Sequence, residues 1–150
     1  MIYTELTKKA MKLCFDAHKN QVDKSGMPYI FHPMCLAEKM DTEESIFFAL
    51  LNDVVEDTDY TLDDLREMGF GDSVIEALTL MTHDSAVPYM DYVKAIGTNS
   101  LATKVKLADL KHNSDLGRLD IVDQKALSRV EKYSKAISYL ESVASHATIK

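Results

Sequence analysis

The chain has 150 residues, 46% of them apolar and 27% charged, the proportions of a soluble globular protein rather than a disordered, collagenous or coiled-coil one. Its length fits one domain spanning 1–150 with one core. A formal net charge of −7 argues against a surface that holds nucleic acid or anionic lipid by counterion release. An anionic ligand therefore needs a locally basic or metallated pocket. No apolar run is long enough to cross a membrane, and the opening MIYTELTKKA has neither the basic end nor the apolar centre of a signal peptide. A cytoplasmic location is the expectation. Cys14 and Cys35 form no metal or redox spacing and sit among apolar neighbours, as small buried thiols do.

Glycine and proline are sparse, and apolar residues recur three or four apart, so the chain reads as all-α, a single compact bundle of about seven to nine helices. A first helix from Thr4 to Asn20 places Leu6, Ala10, Leu13, Cys14 and Ala17 on one stripe. The loop Asp23-Lys24-Ser25-Gly26 follows. Pro33 then suits the first position of a short helix ending near Met40, and holds His32 before it in an extended conformation. From Glu43 to Glu56 the apolar arc is too wide for a helix with one exposed face, so this helix should be central. Thr61 is a plausible N-cap for the next, with Asp64 where Glu or Gln is usual. Further helices are expected over Ser73–Thr82, Tyr89–Ile96, Ser100–Asp115 and Val122–Ala144. On the last, Tyr133, Ile137 and Leu140 could serve a homodimer as readily as the core.

The oddity is Asn52-Asp53, set between Phe47-Phe48-Ala49-Leu50-Leu51 and Val54-Val55. A carboxylate shielded from water is costly unless paired or bound to a cation. Asp53 therefore predicts a metal, a basic residue or a strong hydrogen-bond network. Helical spacing sets Glu56 and Asp57 one turn beyond Asn52 and Asp53 on the same face. A second constellation is Asp109, His112 and Asn113, three and four residues apart, with Lys106 and Lys111 nearby. A simple ion pair of Asp109 with one of those lysines is the alternative. His32 is a third candidate. One imidazole and two carboxylates from separate elements suit a divalent ion such as manganese, iron or magnesium better than a structural zinc.

Taken together, Ala17-His18, Lys24-Ser25-Gly26, Pro28-Tyr29-Ile30, His32-Pro33, the run Ala49-Leu50-Leu51-Asn52-Asp53-Val54-Val55-Glu56-Asp57-Thr58 and Lys106-Leu107-Ala108-Asp109 with His112-Asn113 occur in the order of a known module. Over about residues 5 to 120 the chain resembles the HD-domain hydrolases of RelA/SpoT-type stringent-response enzymes, and its length resembles that of the small alarmone hydrolases. The resemblance implies an all-α HD domain that uses one manganese ion to remove pyrophosphate from the 3′ position of ppGpp or pppGpp. By position it implies metal ligands at His32, Asn52, Asp53 and Asp109. It implies a water-activating pair in Glu56 and Asp57, and substrate contacts at Lys24, to phosphate or base, and Asn113, to ribose.

Two positions depart from the pattern. Asn52 stands where the family has the histidine of its HD pair, and an amide oxygen is a weaker metal donor than imidazole. This keeps open a catalytically impaired domain that binds a nucleotide without cleaving it. Asp23 stands where an arginine commonly helps to hold guanine. That charge reversal keeps open a phosphohydrolase for another nucleotide or phosphorylated metabolite.

Overall fold

The computed structural model describes residues 1–149, with side chains described through position 146. Among the described residues there are eight α-helices, one 3₁₀ turn over Leu116–Arg118 and no extended strand. The helices are α1 (Glu5–His18), α2 (Phe31–Glu38), α3 (Glu43–Asp57), α4 (Leu62–Glu67), α5 (Asp72–Met81), α6 (Tyr89–Ile96), α7 (Ser100–Asn113) and α8 (Gln124–Ile149). They fall into two compact units, Met1–Thr82 and His83–Lys150.

In the first unit three helices begin with one device. Thr4, Thr42 and Thr61 each accept a hydrogen bond from the backbone N–H three residues on, and the side chains of Thr7, Ser45 and Asp64 accept one from the N–H of the cap. A short hydroxyl or carboxylate thus completes the capping box without the usual Glu or Gln. Gly69 ends α4 at φ +98°, with its N–H donating to Arg66 O and that of Phe70 to Leu65 O, a Schellman turn that only glycine enters without strain.

Helix α3 packs against α1, α2 and α5, and every residue from Ser45 to Asn52 is buried, together with Val54. Each large apolar side chain taken out of water there contributes roughly 1.5–3 kcal/mol. The Phe47 and Phe70 rings meet at 5.4 Å and a tilt of 50°. Helix α1 presents Thr7, Ala10, Leu13, Cys14 and His18 inward, while Leu6 and Ala17 of the expected stripe are half-buried. The cysteines are free, Cys14 buried and Cys35 half-buried.

Around Pro33 the structure corrects the sequence expectation. The helix begins at Phe31, so His32 is helical rather than extended and Pro33 is its third residue. Proline is tolerated at this position because a first-turn N–H has no acceptor within the helix, so its absence removes nothing the helix needs.

In the second unit α6 and α7 each pack on α8, over a core that includes Tyr92, Val93, Ile96, Val105, Leu110, Ala136 and Leu140. Gly97 lets the end of α6 approach α8 closely, since a Cβ there would lie 3.2 Å from the Tyr139 ring. Leu140 is fully buried, which withdraws it from any contact between copies, whereas Tyr133 and Ile137 are half-buried.

Candidate functional site

Two of the candidate residues meet within the first unit. His32, on the first turn of α2, and Asp53, near the end of α3, approach with Nε2 3.8 Å from Oδ2, at side-chain exposures of 3% and 15%. The Tyr29 hydroxyl donates to the same Oδ2 at 2.7 Å, a short, charge-assisted bond. Asn52 precedes Asp53 on α3 and is itself buried at 7% exposure. Burial, with the charge of Asp53 adding, pushes the Cys14 thiol up to about 12, which keeps it neutral and unreactive.

Tyr29 has no role in the sequence reading beyond its place in a motif, and the structure supplies one. Its ring lies 5.0 Å from that of His18 and 5.8 Å from that of His32. His18 is held in turn by a 2.7 Å hydrogen bond between Nδ1 and Gln21 Oε1, and its Nε2 is buried without a hydrogen-bond partner. The signal available in the sequence was a phenol three residues before a candidate ligand.

Lys24 is exposed on the turn joining α1 to α2, which a bridge between Val22 and Pro28 closes. Asp23 shapes that turn: its Oδ1 accepts from Ser25 N–H at 2.9 Å and from Met27 N–H at 3.0 Å, and Gly26 takes a φ of +79°. The carboxylate at position 23 thus serves the turn locally, as an Asp side chain commonly does by accepting from backbone N–H groups just beyond it. Glu56 and Asp57 are exposed on the last turn of α3. Their carboxylates sit at the negative end of the helix dipole, which favours a cation nearby. Beyond that turn, Asp16, Ala17, Thr58, Asp59, Tyr60 and Asp64 line an open depression of about 360 Å³. Its three carboxylates repel a polyanion.

In the second unit, α7 buries Asp109 to 6% exposure. Its carboxylate accepts from Lys106 Nζ at 3.0 Å and from Asn113 Nδ2 at 3.0 Å. Burial alone would favour the neutral amine of Lys106, but the charge and hydrogen bond of Asp109 outweigh it and hold the ammonium well above the usual lysine range. Asn113, the last residue of α7, is exposed and is also steadied by Arg118, whose Nη1 reaches its Oδ1 at 3.3 Å and His112 O at 2.9 Å. Sequence reasoning had not singled out Arg118, which lies beyond the helix in the 3₁₀ turn.

Among the described residues no group of three or more His, Cys, Asp or Glu side chains forms a metal-binding cluster. The donor chemistry nevertheless suits a hard divalent ion: the imidazole nitrogen of His32, the carboxylate of Asp53 and the amide oxygen of Asn52, the last two adjacent on α3.

No protein-family model matches the chain. By sequence it is nevertheless similar, over most of its own length, to SpoT-type proteins, and by fold to a solved ortholog of SpoT. It is 32% identical to the bifunctional (p)ppGpp synthase/hydrolase SpoT of Escherichia coli K12 over 85% of this chain and 20% of that protein. It is also 32% identical to a guanosine-3′,5′-bis(diphosphate) 3′-pyrophosphohydrolase of Aquifex aeolicus, over 89% of this chain and 20% of the relative. The chain thus spans about a fifth of the length of these curated relatives. A solved structure of a metazoan ortholog of SpoT that hydrolyses ppGpp superposes with a TM-score of 0.73 at 22% identity, covering 93% of this chain and 87% of that one. The helical architecture is the HD-domain fold.

Proposed function

We propose that the chain is a metal-dependent pyrophosphohydrolase acting at the 3′ position of ppGpp or pppGpp. The observation that carries this reading is the approach of the buried His32 to the half-buried Asp53, at 3.8 Å and beside the buried Asn52. The activities for which the relatives are named support the substrate class. His32, Asn52, Asp53 and Asp109 are the residues that would hold one manganese ion. When bound, such an ion lowers the pKa of a water and offsets charge on the scissile phosphoryl group. Glu56 and Asp57 orient the attacking water and accept its proton. Lys24 meets phosphate or base and Asn113 the ribose. On this reading the chain is a single domain working in the cytoplasm on a small-molecule nucleotide, with neither nucleic acid nor membrane as partner. Tyr133 and Ile137 are the residues left to a homodimer contact.

The test is direct. Manganese binding by calorimetry and release of pyrophosphate from ppGpp should both be measurable on the chain. No metal uptake and no release at saturating manganese would overturn the proposal. A second reading, favoured by the amide at Asn52, is a domain that binds the nucleotide and leaves it whole. It expects a calorimetric signal for ppGpp with phosphate release at the blank rate.

A further inference from the structure

We infer that Tyr29 is a positioning residue that clamps both His32 and Asp53, an inference that rests on the metal-dependent reading above. One residue touches both groups. Its hydroxyl donates to Asp53 Oδ2 at 2.7 Å, and its backbone carbonyl accepts from His32 N–H at 3.0 Å. Tyr29 is itself fixed, because its N–H donates to Gln21 O at 2.9 Å and its ring packs on the imidazoles of His18 and His32. The side chain of the same Gln21 holds His18 at 2.7 Å. The chain from Gln21 to His32 therefore carries a short frame in which backbone, two imidazoles and one phenol determine one another's positions.

A carboxylate that ligates a metal loses orientational freedom on binding, and a hydrogen bond to one of its oxygens removes part of that cost beforehand. The phenol performs this on Asp53. Its importance is greater in this chain than it would be beside a histidine at position 52. An amide oxygen binds a divalent ion weakly, so affinity leans on how well the carboxylates are presented. A phenylalanine would fill the same space and stack on the same rings. The hydroxyl is therefore the functional atom.

The experiment compares the full chain with Tyr29→Phe. Manganese is titrated into each by calorimetry, ppGpp hydrolysis is measured across substrate concentration, and the metal-free thermal midpoint is recorded. Loss of a hydrogen bond to a metal-ligating group should weaken manganese binding roughly 10-fold and lower kcat with KM unchanged. A purely structural bond between the α1–α2 connection and α3 would lower the thermal midpoint and leave manganese affinity alone, which would overturn the inference. A parent chain that binds manganese and leaves ppGpp intact refutes the hydrolase reading, while the ratio of affinities still decides the role of Tyr29. A parent chain that takes up no manganese overturns both.

Discussion

His32 Nε2 and Asp53 Oδ2 stand 3.8 Å apart, one on the first turn of α2 and the other on the last turns of α3. That separation exceeds a direct hydrogen bond. It is close to what two ligands of one ion require, since donors each roughly 2.1 Å from a metal lie about 3–3.5 Å from one another. Only a small rotation of either side chain is needed. Asp53→Asn keeps the shape of the carboxyl group and its bond from Tyr29 but removes the charge. On the proposed reading it should cost more manganese affinity than the roughly 10–100-fold typical of outer-shell partners. Calorimetry checks the affinity and circular dichroism checks that the helices persist.

Asn52→His restores a stronger donor at a buried position one residue from Asp53. Manganese affinity and ppGpp hydrolysis should rise together, by about 10-fold or more in affinity if an imidazole replaces an amide as ligand. If neither quantity moves, Asn52 does not face the metal.

Glu56 and Asp57 are exposed at the end of α3 and belong, on this proposal, to proton transfer rather than metal binding. Glu56→Gln and Asp57→Asn should therefore lower kcat by about 10²–10⁴-fold, the usual contribution of a positioned acid or base, at nearly constant manganese affinity. A parallel loss of affinity would move them into the ligand set.

Much of this arrangement was legible because it depends on residue type at helical spacing. The run from Phe47 to Val55 announces a central helix, and α3 is buried there at every position but Asp53 and Val55. Asp53 demanded partners, and Tyr29 and His32 are among them. Other features depend on rotamers and turn geometry that spacing does not encode. Pro33 looked like the start of α2, yet any of the first-turn positions tolerates a missing N–H. Asp23 stands out in the sequence only as a charge, and its role as acceptor for two backbone amides of the turn depends on coordinates. At Asp109 the spacing to Lys106 admitted a simple ion pair, and that pair is formed.

The Lys106–Asp109 pair sets a stability prediction. At side-chain exposures of 13% and 8%, neither charge is well solvated, and removing one partner strands the other. Lys106→Met should destabilise the chain by about 3 kcal/mol, toward the low end for a broken buried pair because Asn113 still donates to the carboxylate. Urea unfolding followed by circular dichroism measures it. Lys106→Met combined with Asp109→Leu should recover most of the loss, since replacing a buried pair by apolar groups is often neutral.

Tyr89 carries the opposite expectation. Its hydroxyl is buried with no hydrogen-bond partner among the described residues, while its ring lies under Lys132 Nζ at 4.0 Å from the centroid and 5.9 Å from Tyr92. Tyr89→Phe keeps the ring contacts and removes the unsatisfied group, so it should stabilise the chain by about 1 kcal/mol. The pH dependence has a definite sign. Burial pushes the phenol up to about 12 from an ordinary 10.0, so the unfolded chain loses its proton first as pH rises. The unfolded state then binds fewer protons than the folded one, and stability falls with pH across that window. The gap in unfolding midpoint between Tyr89→Phe and the parent chain should therefore be constant below pH 9 and widen between about pH 10 and 12. A gap that stays constant through this range would mean that the hydroxyl is solvated.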